Sequence, residues 1–521
     1  MSRGVHAFTL GDLIRENARR FPQRLAVVCG GVRLTFGELA GSSRQAANML
    51  RDNGVGDGER VAWLAQNCHR YLELLFGCSM LGAVFTPLNW RSSAAELTGL
   101  LDDCAPRVVV TQHREIGGVV DTVRSSNSRD GAPAATWIDI DDAGPDGFDA
   151  RRDRAPSDDP HVDVDDESCA MRMYTAAFEG VPRGAQLSHS GLLAQNLAQM
   201  LAMAVTADDC NLNTGPLFHI AGTMRLFAHL HAGAKNVMVP RVEGEEVARL
   251  IAAEKVTSAM ILPPSIPDVV AAAKAHGHDL RSLRTPGASG TPDLEEWTRM
   301  TSRSQGVPAG YGQTEVCGLV TLNQLAPDGQ GAHGITSPVA QVRIVGPDGA
   351  DVPAGETGEI AVRGPLVMLG YAGGEPEGTR LRGWRLCNDL GRREPDGTIT
   401  FIGPRTELIK SAAENIYPTE VENALRAHPK VSDACVIGVP DSVWGQSVKA
   451  VVQPVAGETP TGEELIAFCR ERIASYKKPR VVEIVDNLPR TPVGFVDREA
   501  VKAAHGGGGT VGAGTGAATT L

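Results

Sequence analysis

Residues 174–189 read Tyr-Thr-Ala-Ala-Phe-Glu-Gly-Val-Pro-Arg-Gly-Ala-Gln-Leu-Ser-His. Ala170 to Tyr174 is a predicted strand, and it delivers a loop punctuated by Gly180, Pro182 and Gly184, the outline of a phosphate loop. Such a cradle works through backbone N–H groups, glycines that permit close approach, and hydroxyl donors. The tip here carries Ala176, Ala177, Phe178 and Glu179 instead, so a phenyl ring fills space and a carboxylate faces the anion. Two unit charges about 4 Å apart at an effective dielectric of about 20 repel by roughly 4 kcal/mol. Glu179 alone therefore opposes phosphate binding.

Working outward, the first third of the chain alternates strands and helices. A first helix starts at Thr9, with Asp12 as its capping partner and Leu10, Leu13 and Ile14 on one face. Strands are expected at Leu25 to Cys29, Arg60 to Leu64, Val84 to Leu88 and Val108 to Thr111. Helices are expected within Thr35 to Asn53, at Tyr71 to Leu81 and at Ala94 to Asp103. This alternation predicts an α/β fold with a helix-covered parallel sheet. Residues 125 to 168, rich in Asp, Pro, Gly and Ser, are expected to form a solvated connection. No calcium-loop spacing with a closing glutamate is present.

At 521 residues the chain exceeds the size at which one core stops growing, so more than one domain is expected. Alternation continues to about residue 340, and β-rich segments such as Val342 to Val345 and Glu359 to Val362 lead to a boundary near Arg405. Residues 1–404 are expected as a large N-terminal domain and 405–505 as a small α+β domain. In the latter, Pro418 opens a helix with Val421, Ala424, Leu425 and His428 on one face. Thr461 and Glu464 cap another that carries Leu465, Ile466, Cys469 and Ile473. Strands are expected near Ala434 to Val439 and Val448 to Gln453. Residues 506–521, almost wholly Gly, Ala and Thr, are expected as a disordered tail.

A net charge of −12 without a basic cluster argues against nucleic-acid binding. The ten cysteines show no CxxC pair and suggest neither a zinc site nor a disulfide framework. No stretch of about 18 apolar residues or apolar leader is present, so a cytoplasmic protein without membrane association is expected.

The loop, taken residue by residue, resembles the Thr-Ser-Gly-Thr-Thr-Gly-x-Pro-Lys-Gly signature of adenylate-forming enzymes, the superfamily of acyl- and aryl-CoA ligases. Thr175, Gly180, Pro182 and Gly184 match, and Arg183 replaces a lysine. Further landmarks follow in the family's order from about residue 10 to 504. Tyr311-Gly312-Gln313-Thr314-Glu315 resembles Tyr-Gly-x-Thr-Glu, in which the tyrosine stacks on adenine, the threonine meets the α-phosphate and the glutamate holds Mg²⁺. Gly287-Ala-Ser289-Gly290 is similar to the adenine-side segment. Asp389 matches the aspartate that accepts the ribose hydroxyls, although Cys387-Asn388 stands where Thr-Gly is usual. Arg405 matches the ribose-side arginine and Glu407 the hinge position. Leu217-Phe-His219-Ile-Ala-Gly222 resembles the segment whose histidine gates the acyl pocket. Gly355 to Gly364 and Tyr476-Lys-Lys-Pro479 are further matches.

The resemblance implies a large domain of helix-covered sheets with a distorted β-barrel and a small mobile domain turning on Glu407. It implies AMP contacts at Ser289, Gly290, Tyr311, Gly312, Gln313, Thr314, Asp389 and Arg405. Catalytic roles fall on His219 and Glu407. Small residues near Ala221, Gly222, Thr223, Gly287 and Gly318 suggest a pocket for a bulky apolar acid.

The departures concentrate on one half-reaction. Ala176, Ala177, Phe178 and Glu179 replace small and hydroxylated residues that wrap the β- and γ-phosphates. In Leu488-Pro-Arg-Thr-Pro-Val-Gly-Phe495-Val-Asp-Arg498, Phe495 stands where the family has the lysine that serves adenylation. Loss of one such donor costs roughly 10²- to 10³-fold in rate. Ser411-Ala412-Ala413-Glu414 replaces Ser-Gly-Gly-Glu, with two added methyls flanking the CoA arm. The expectation is a ligase that accepts an acyl-adenylate and CoA, needs Mg²⁺ less, and depends on a separate adenylating enzyme; the alternatives are a complete ATP-dependent acid:CoA ligase and a catalytically silent acyl-adenylate-binding protein. The first reading is similar to the non-adenylating CoA ligases of bacterial diterpenoid (platensimycin-type) pathways.

Overall fold

The computed structural model describes residues 7–126, 135–175, 182–262, 265–286, 294–301, 310–326, 333–374, 376, 378–405, 407–411, 414–490 and 496–506. Two mostly parallel sheets form the body of the large domain. One has seven strands in the order Gly370–Tyr371, Arg183–Ser188, Cys169–Thr175, Val84–Pro87, Arg60–Leu64, Val108–Thr111, Thr136–Asp139. The other has six, in the order Thr285–Pro286, Ser258–Ala259, Cys210–Asn213, Lys235–Met238, Leu25–Cys29, Val32–Thr35. Strands such as Val108–Thr111 are buried throughout because both faces are covered by helices.

The first helix, Leu10–Arg20, is closed by the expected box: Thr9 Oγ1 accepts from the Asp12 N–H, and the Thr9 N–H donates back to Asp12. Phe36–Asp52 and His69–Leu81 then pack on the sheet through Leu39, Leu50, Leu72 and Phe76, all fully buried. Each such side chain contributes about 1.5–3 kcal/mol by burial.

The 125–168 stretch corrects the expectation of an unstructured connection. Thr136–Asp139 is the edge strand of the seven-stranded sheet, parallel to Val108–Thr111, and Phe148–Arg154 is a helix. Ile138 and Phe148 are fully buried, and Arg70 Nε donates to Asp149 at 2.8 Å. Their polar flanks hide these two anchors.

The region expected as a distorted barrel is a five-stranded antiparallel sheet. Trp384–Arg393 pairs with Thr357–Arg363, Arg380–Leu381 and Ile399–Pro404, and Gln341–Val345 lies outside Thr357–Arg363. The small domain is built on Val431–Asp441 and Gly445–Pro454, flanked by Ile409–Ser411, Glu414–Ile416 and Val481–Ile484. Alternation along these strands gives it two packed faces. Ala434, Val436, Ala450 and Val452 meet the helices Pro418–Arg426 and Gly462–Arg472. Cys435, Ile437 and Val451 meet Leu488, Val496 and Val501 on the opposite face. His428, expected on the first helix, lies beyond its end and is buried against Phe468.

Candidate active site

The nucleotide-side residues converge where the Tyr311–Val320 segment meets the long strand Trp384–Arg393. Tyr311 is buried, its ring stacked on Phe401 at 5.4 Å, and its hydroxyl donates to Asp389 Oδ2 at 2.8 Å. Gln313 Nε2 donates to the same oxygen at 2.6 Å and to the Cys387 carbonyl at 2.7 Å. Burial pushes Asp389 up to about 6, in spite of the hydrogen bonds from Tyr311 and Gln313. Asn388 adopts φ +55°, the left-handed region that glycine favours and asparagine tolerates, so the glycine-to-asparagine departure preserves the backbone path into Asp389.

Arg405 is turned toward Glu359: its Nη1 donates to Glu359 Oε2 at 2.7 Å, while Glu359 Oε1 accepts the Asn388 N–H at 3.0 Å. The Gly355–Gly364 landmark thus braces both the Asp389 turn and the linker. Glu407 is tied within the small domain to Arg498, at 2.8 Å, and to Lys502. Thr314 and Glu315 sit in a 3₁₀ turn, Thr314–Val316, with Gly312 just before it. Glu315 Oε1 accepts from the Tyr371 hydroxyl at 2.6 Å, and Tyr371 accepts from Arg385 Nη2 at 3.1 Å. Among the described residues no group of three or more His, Cys, Asp or Glu could hold a metal ion. Glu315 would hold Mg²⁺ only in company with phosphate oxygens, a fit Mg²⁺ accepts.

His219 is the N-terminal cap residue of the helix Ile220–His231. Asn67 fixes its approach loop, donating to the Gly215 carbonyl at 2.8 Å and accepting the Leu217 N–H at 3.1 Å. The small domain reaches this corner directly. Glu414 Oε2 lies 3.2 Å from His219 Nε2, and Glu414 Oε1 accepts from Arg91 Nη2. Burial acts to raise the Glu414 carboxyl, but His219 and Arg91 override it and hold it down to about 2. Arg91 also lies over the rings of Phe218 and Tyr476, at 5.1 and 5.3 Å.

The same docking is secured nearby by Lys477, whose Nζ donates to Glu420 at 2.7 Å and to Glu96 of the large domain at 2.8 Å. Ser93 Oγ donates to the Arg472 carbonyl at 2.9 Å. The helix-bearing face of the small domain therefore meets the large domain, and the face carrying Leu488, Val496 and Val501 is turned away. Lys410 Nζ is brought 5.0 Å above the Phe401 ring; burial lowers its pKa, opposed by Asp389.

The expected acyl-pocket residues divide. Ala221 is half-buried at the His219 end of the helix, and Gly318 adopts φ +124° with Met224 2.8 Å from where a Cβ would stand. Gly222 does not open a cavity: a Cβ there would lie 2.8 Å from the Pro216 carbonyl oxygen, so its smallness lets the helix seat on its own approach loop. Thr223 is fully buried and its hydroxyl donates to the Leu217 carbonyl at 3.0 Å. Ser411 is the register partner of Glu414. Gly287, Ser289, Gly290, Ala176, Ala177, Phe178, Glu179, Ala412, Ala413, Phe495 and the tail beyond Gly506 lie outside the described residues. Arg91 and Tyr371 escape a sequence reading because Glu414 and Glu315 lie far along the chain, and Arg385 and Lys410 because no motif marks their contacts with Tyr371 and Phe401. The charged Arg91 within the apolar Leu88-Asn-Trp turn is the one local hint.

Comparison with known proteins agrees with this architecture. The AMP-binding enzyme family matches residues 14–372, and its C-terminal domain matches 420–494. A feruloyl-CoA synthase from Amycolatopsis is 35% identical over 508 residues, covering 95% of this chain and 99% of the relative. An indoleacetate–CoA ligase from Aromatoleum aromaticum is 34% identical, covering 94% of each. Among solved structures, a double mutant of o-succinylbenzoate CoA synthetase from Bacillus subtilis, bound to a product analogue, superimposes with a TM-score of 0.81 at 26% identity, covering 94% and 98% of the two chains. The same enzyme in complex with its acyl-adenylate intermediate, again at 26% identity and covering 95% and 99%, gives only 0.66. On fold, site and sequence together, the chain belongs to the AMP-binding enzyme family, as an acyl-CoA ligase.

Proposed function

We propose that this chain performs the thioester-forming half-reaction, acyl-adenylate plus CoA to acyl-CoA plus AMP, and has lost the adenylating one. The observation that carries the reading is the seat of Glu414 on His219 and Arg91. It brings the strands Ile409–Ser411 and Glu414–Ile416 to the large-domain site and leaves the face carrying Leu488, Val496 and Val501 turned away. The higher likeness to a relative bound to a CoA product analogue supports the same orientation. The residues at 176–179 and 495 supply the reason that the alternative orientation would be unproductive.

The chemistry needs little machinery. The CoA thiol gives up its proton to solvent, its sulfur bonds the acyl carbon, and the bond between that carbon and the phosphate oxygen breaks, its electron pair leaving with AMP. AMP leaves without taking up a proton. The anhydride is already activated and a thiol is a strong nucleophile near its own pKa, so positioning and exclusion of water remain. Asp389, Tyr311, Gln313 and Arg405 hold the nucleoside, with Gly312, Ser289 and Gly290 lining it. Thr314 meets the phosphate, His219 shapes the tunnel mouth, and Ser411 to Glu414 flank the pantetheine arm. Glu407 is the pivot. The acid is bulky, and its adenylate comes from a separate adenylating enzyme, as in a diterpenoid pathway.

A complete ATP-dependent ligase is the second reading, favoured by relatives named as CoA synthases and ligases. One pair of reactions separates the two. Acid, ATP and CoA go in one tube, synthetic acyl-adenylate and CoA in the other, with pyrophosphate, AMP and thioester followed. Thioester in the second tube alone is expected; pyrophosphate release in the first would establish the complete ligase.

A further inference from the structure

Tyr311 and Gln313 stand two residues apart where the short strand Gly312–Gln313 begins, a spacing that aims both side chains to one side of the chain. Both end on a single atom. The Tyr311 hydroxyl donates to Asp389 Oδ2 at 2.8 Å, and Gln313 Nε2 donates to that same oxygen at 2.6 Å. A carboxylate has about two lone-pair sites on each oxygen. Oδ2 is therefore filled from within the protein.

Both donors are held in place. The Tyr311 ring is 3% exposed and stacked on Phe401 at 5.4 Å, and the Tyr311 N–H donates to Thr321 Oγ1 at 2.8 Å. The Gln313 amide is fixed a second time, by the Cys387 carbonyl at 2.7 Å. Asp389 Oδ1 has no hydrogen-bond partner among the described residues, and the residue is only half-buried, so the accepting capacity left for a ligand lies on this one oxygen. Arg405, the other ribose-side group, offers donors only and is drawn to Glu359 at 2.7 Å. Two neighbouring hydroxyls are best accepted one to each carboxylate oxygen. Here the second oxygen is already spent.

We infer that Gln313 is a positioning residue that, together with Tyr311, occupies Asp389 Oδ2 and so narrows ribose recognition to a single hydroxyl, which lets the site take adenylates whose ribose lacks the other one. The inference rests on the proposed use of this site for acyl-adenylate and AMP. It revises the implied role of Asp389, which was to accept both hydroxyls. The amide at position 313 sets this selectivity without touching the nucleotide.

The test uses the full chain, with AMP, 2′-deoxy-AMP and 3′-deoxy-AMP titrated by calorimetry at a pH well above the Asp389 transition. Loss of a hydrogen bond to a charged group weakens binding roughly 10- to 100-fold, and one of the two deoxy nucleotides is expected to show a loss of that size. The other should bind nearly as well as AMP. Gln313→Leu opens a site on Oδ2, so the tolerated analogue is expected to lose affinity relative to AMP in that variant. The wild type supplies a test that needs no variant: large losses for both analogues overturn the inference, as does equal binding of all three nucleotides. Analogue ratios unchanged in a folded Gln313→Leu remove the role of Gln313. Thioester formation from a synthetic acyl-adenylate and CoA is followed in parallel. Its absence, with the selectivity among nucleotides intact, overturns the half-reaction and leaves the ribose inference standing, whereas failure to bind AMP at all overturns both readings.

Discussion

Glu414 of the small domain joins two separate stretches of the large one, lying 3.2 Å from His219 with one carboxylate oxygen and accepting from Arg91 with the other. Glu414 itself is mostly buried, so its charge is less screened than a surface carboxylate's. It is also the point where the strand Glu414–Ile416 meets the proposed acyl gate.

Glu414→Gln tests whether this junction serves thioester formation. Neutralising the carboxylate leaves two basic side chains facing each other without a counter-charge. The expected outcome is a fall of roughly 10- to 100-fold in turnover of acyl-adenylate with CoA. Acyl-adenylate affinity, which resides in the large domain, should hardly change. The pH dependence follows from the depressed carboxyl: its contribution is fully present above the ordinary carboxylate range and lost only as pH falls toward about 2. Titration of Glu414 itself should therefore leave domain docking, measured by small-angle scattering, unchanged from pH 5 to 8, so that any change in that interval follows the charge of its partner His219. Loosening that persists unchanged in Glu414→Gln would assign it to another group.

Asp389 predicts the opposite dependence. Burial raises its carboxyl to about 6, so the protonated form favours the folded protein and that stabilising contribution is lost as pH rises through about 6. In the proposed role it is the ionised form that accepts ribose hydroxyls. AMP affinity is expected to weaken as pH drops below 6, and Asp389→Asn should abolish the pH dependence together with most of the binding. Calorimetric titration at pH 5, 6 and 7.5 gives the answer, and a flat profile in the wild type would remove Asp389 from the ribose.

Much of the framework was legible from local pattern. Leu25–Cys29, Arg60–Leu64 and Val108–Thr111 are short apolar runs bounded by turn residues, and the Thr461–Glu464 box marks its helix by chemistry that needs no tertiary partner. Thr136–Asp139 and Phe148–Arg154 were not legible, because each depends on one buried anchor amid charged neighbours. Within the site, Asp389 and Tyr311 were found through motif, but their mutual hydrogen bond was not, since it spans distant stretches of chain. Gly222 shows the limit of reading a glycine: the sequence signals a close approach without telling what approaches, and here it is the chain's own backbone.

Asn388 offers a test of backbone conformation independent of catalysis. Its φ of +55° is tolerated by asparagine and natural for glycine. Asn388→Gly should leave the melting temperature nearly unchanged, whereas a β-branched Asn388→Val should destabilise by about 1–2 kcal/mol, or more where the branched side chain clashes. Asp389 depends on this turn, so AMP affinity should fall with Asn388→Val and persist with Asn388→Gly. Equal behaviour of the two variants would mean that the turn does not set the carboxylate.

Phe495→Lys addresses the half-reaction proposed to be lost. The substitution restores the residue type that the family uses in adenylation, but it leaves Phe178 and Glu179 in the phosphate loop. Repulsion by a carboxylate near an anion is worth roughly 4 kcal/mol at 4 Å and an effective dielectric of about 20, nearly a thousandfold in binding. A single lysine, contributing roughly 10²- to 10³-fold as one preorganised donor, acts on a later step and cannot seat the triphosphate. Phe495→Lys alone should therefore release little pyrophosphate from acid and ATP, while combining it with Phe178→Thr and Glu179→Thr should release far more. Brisk pyrophosphate release by the single variant would locate the whole defect at position 495 and clear the loop.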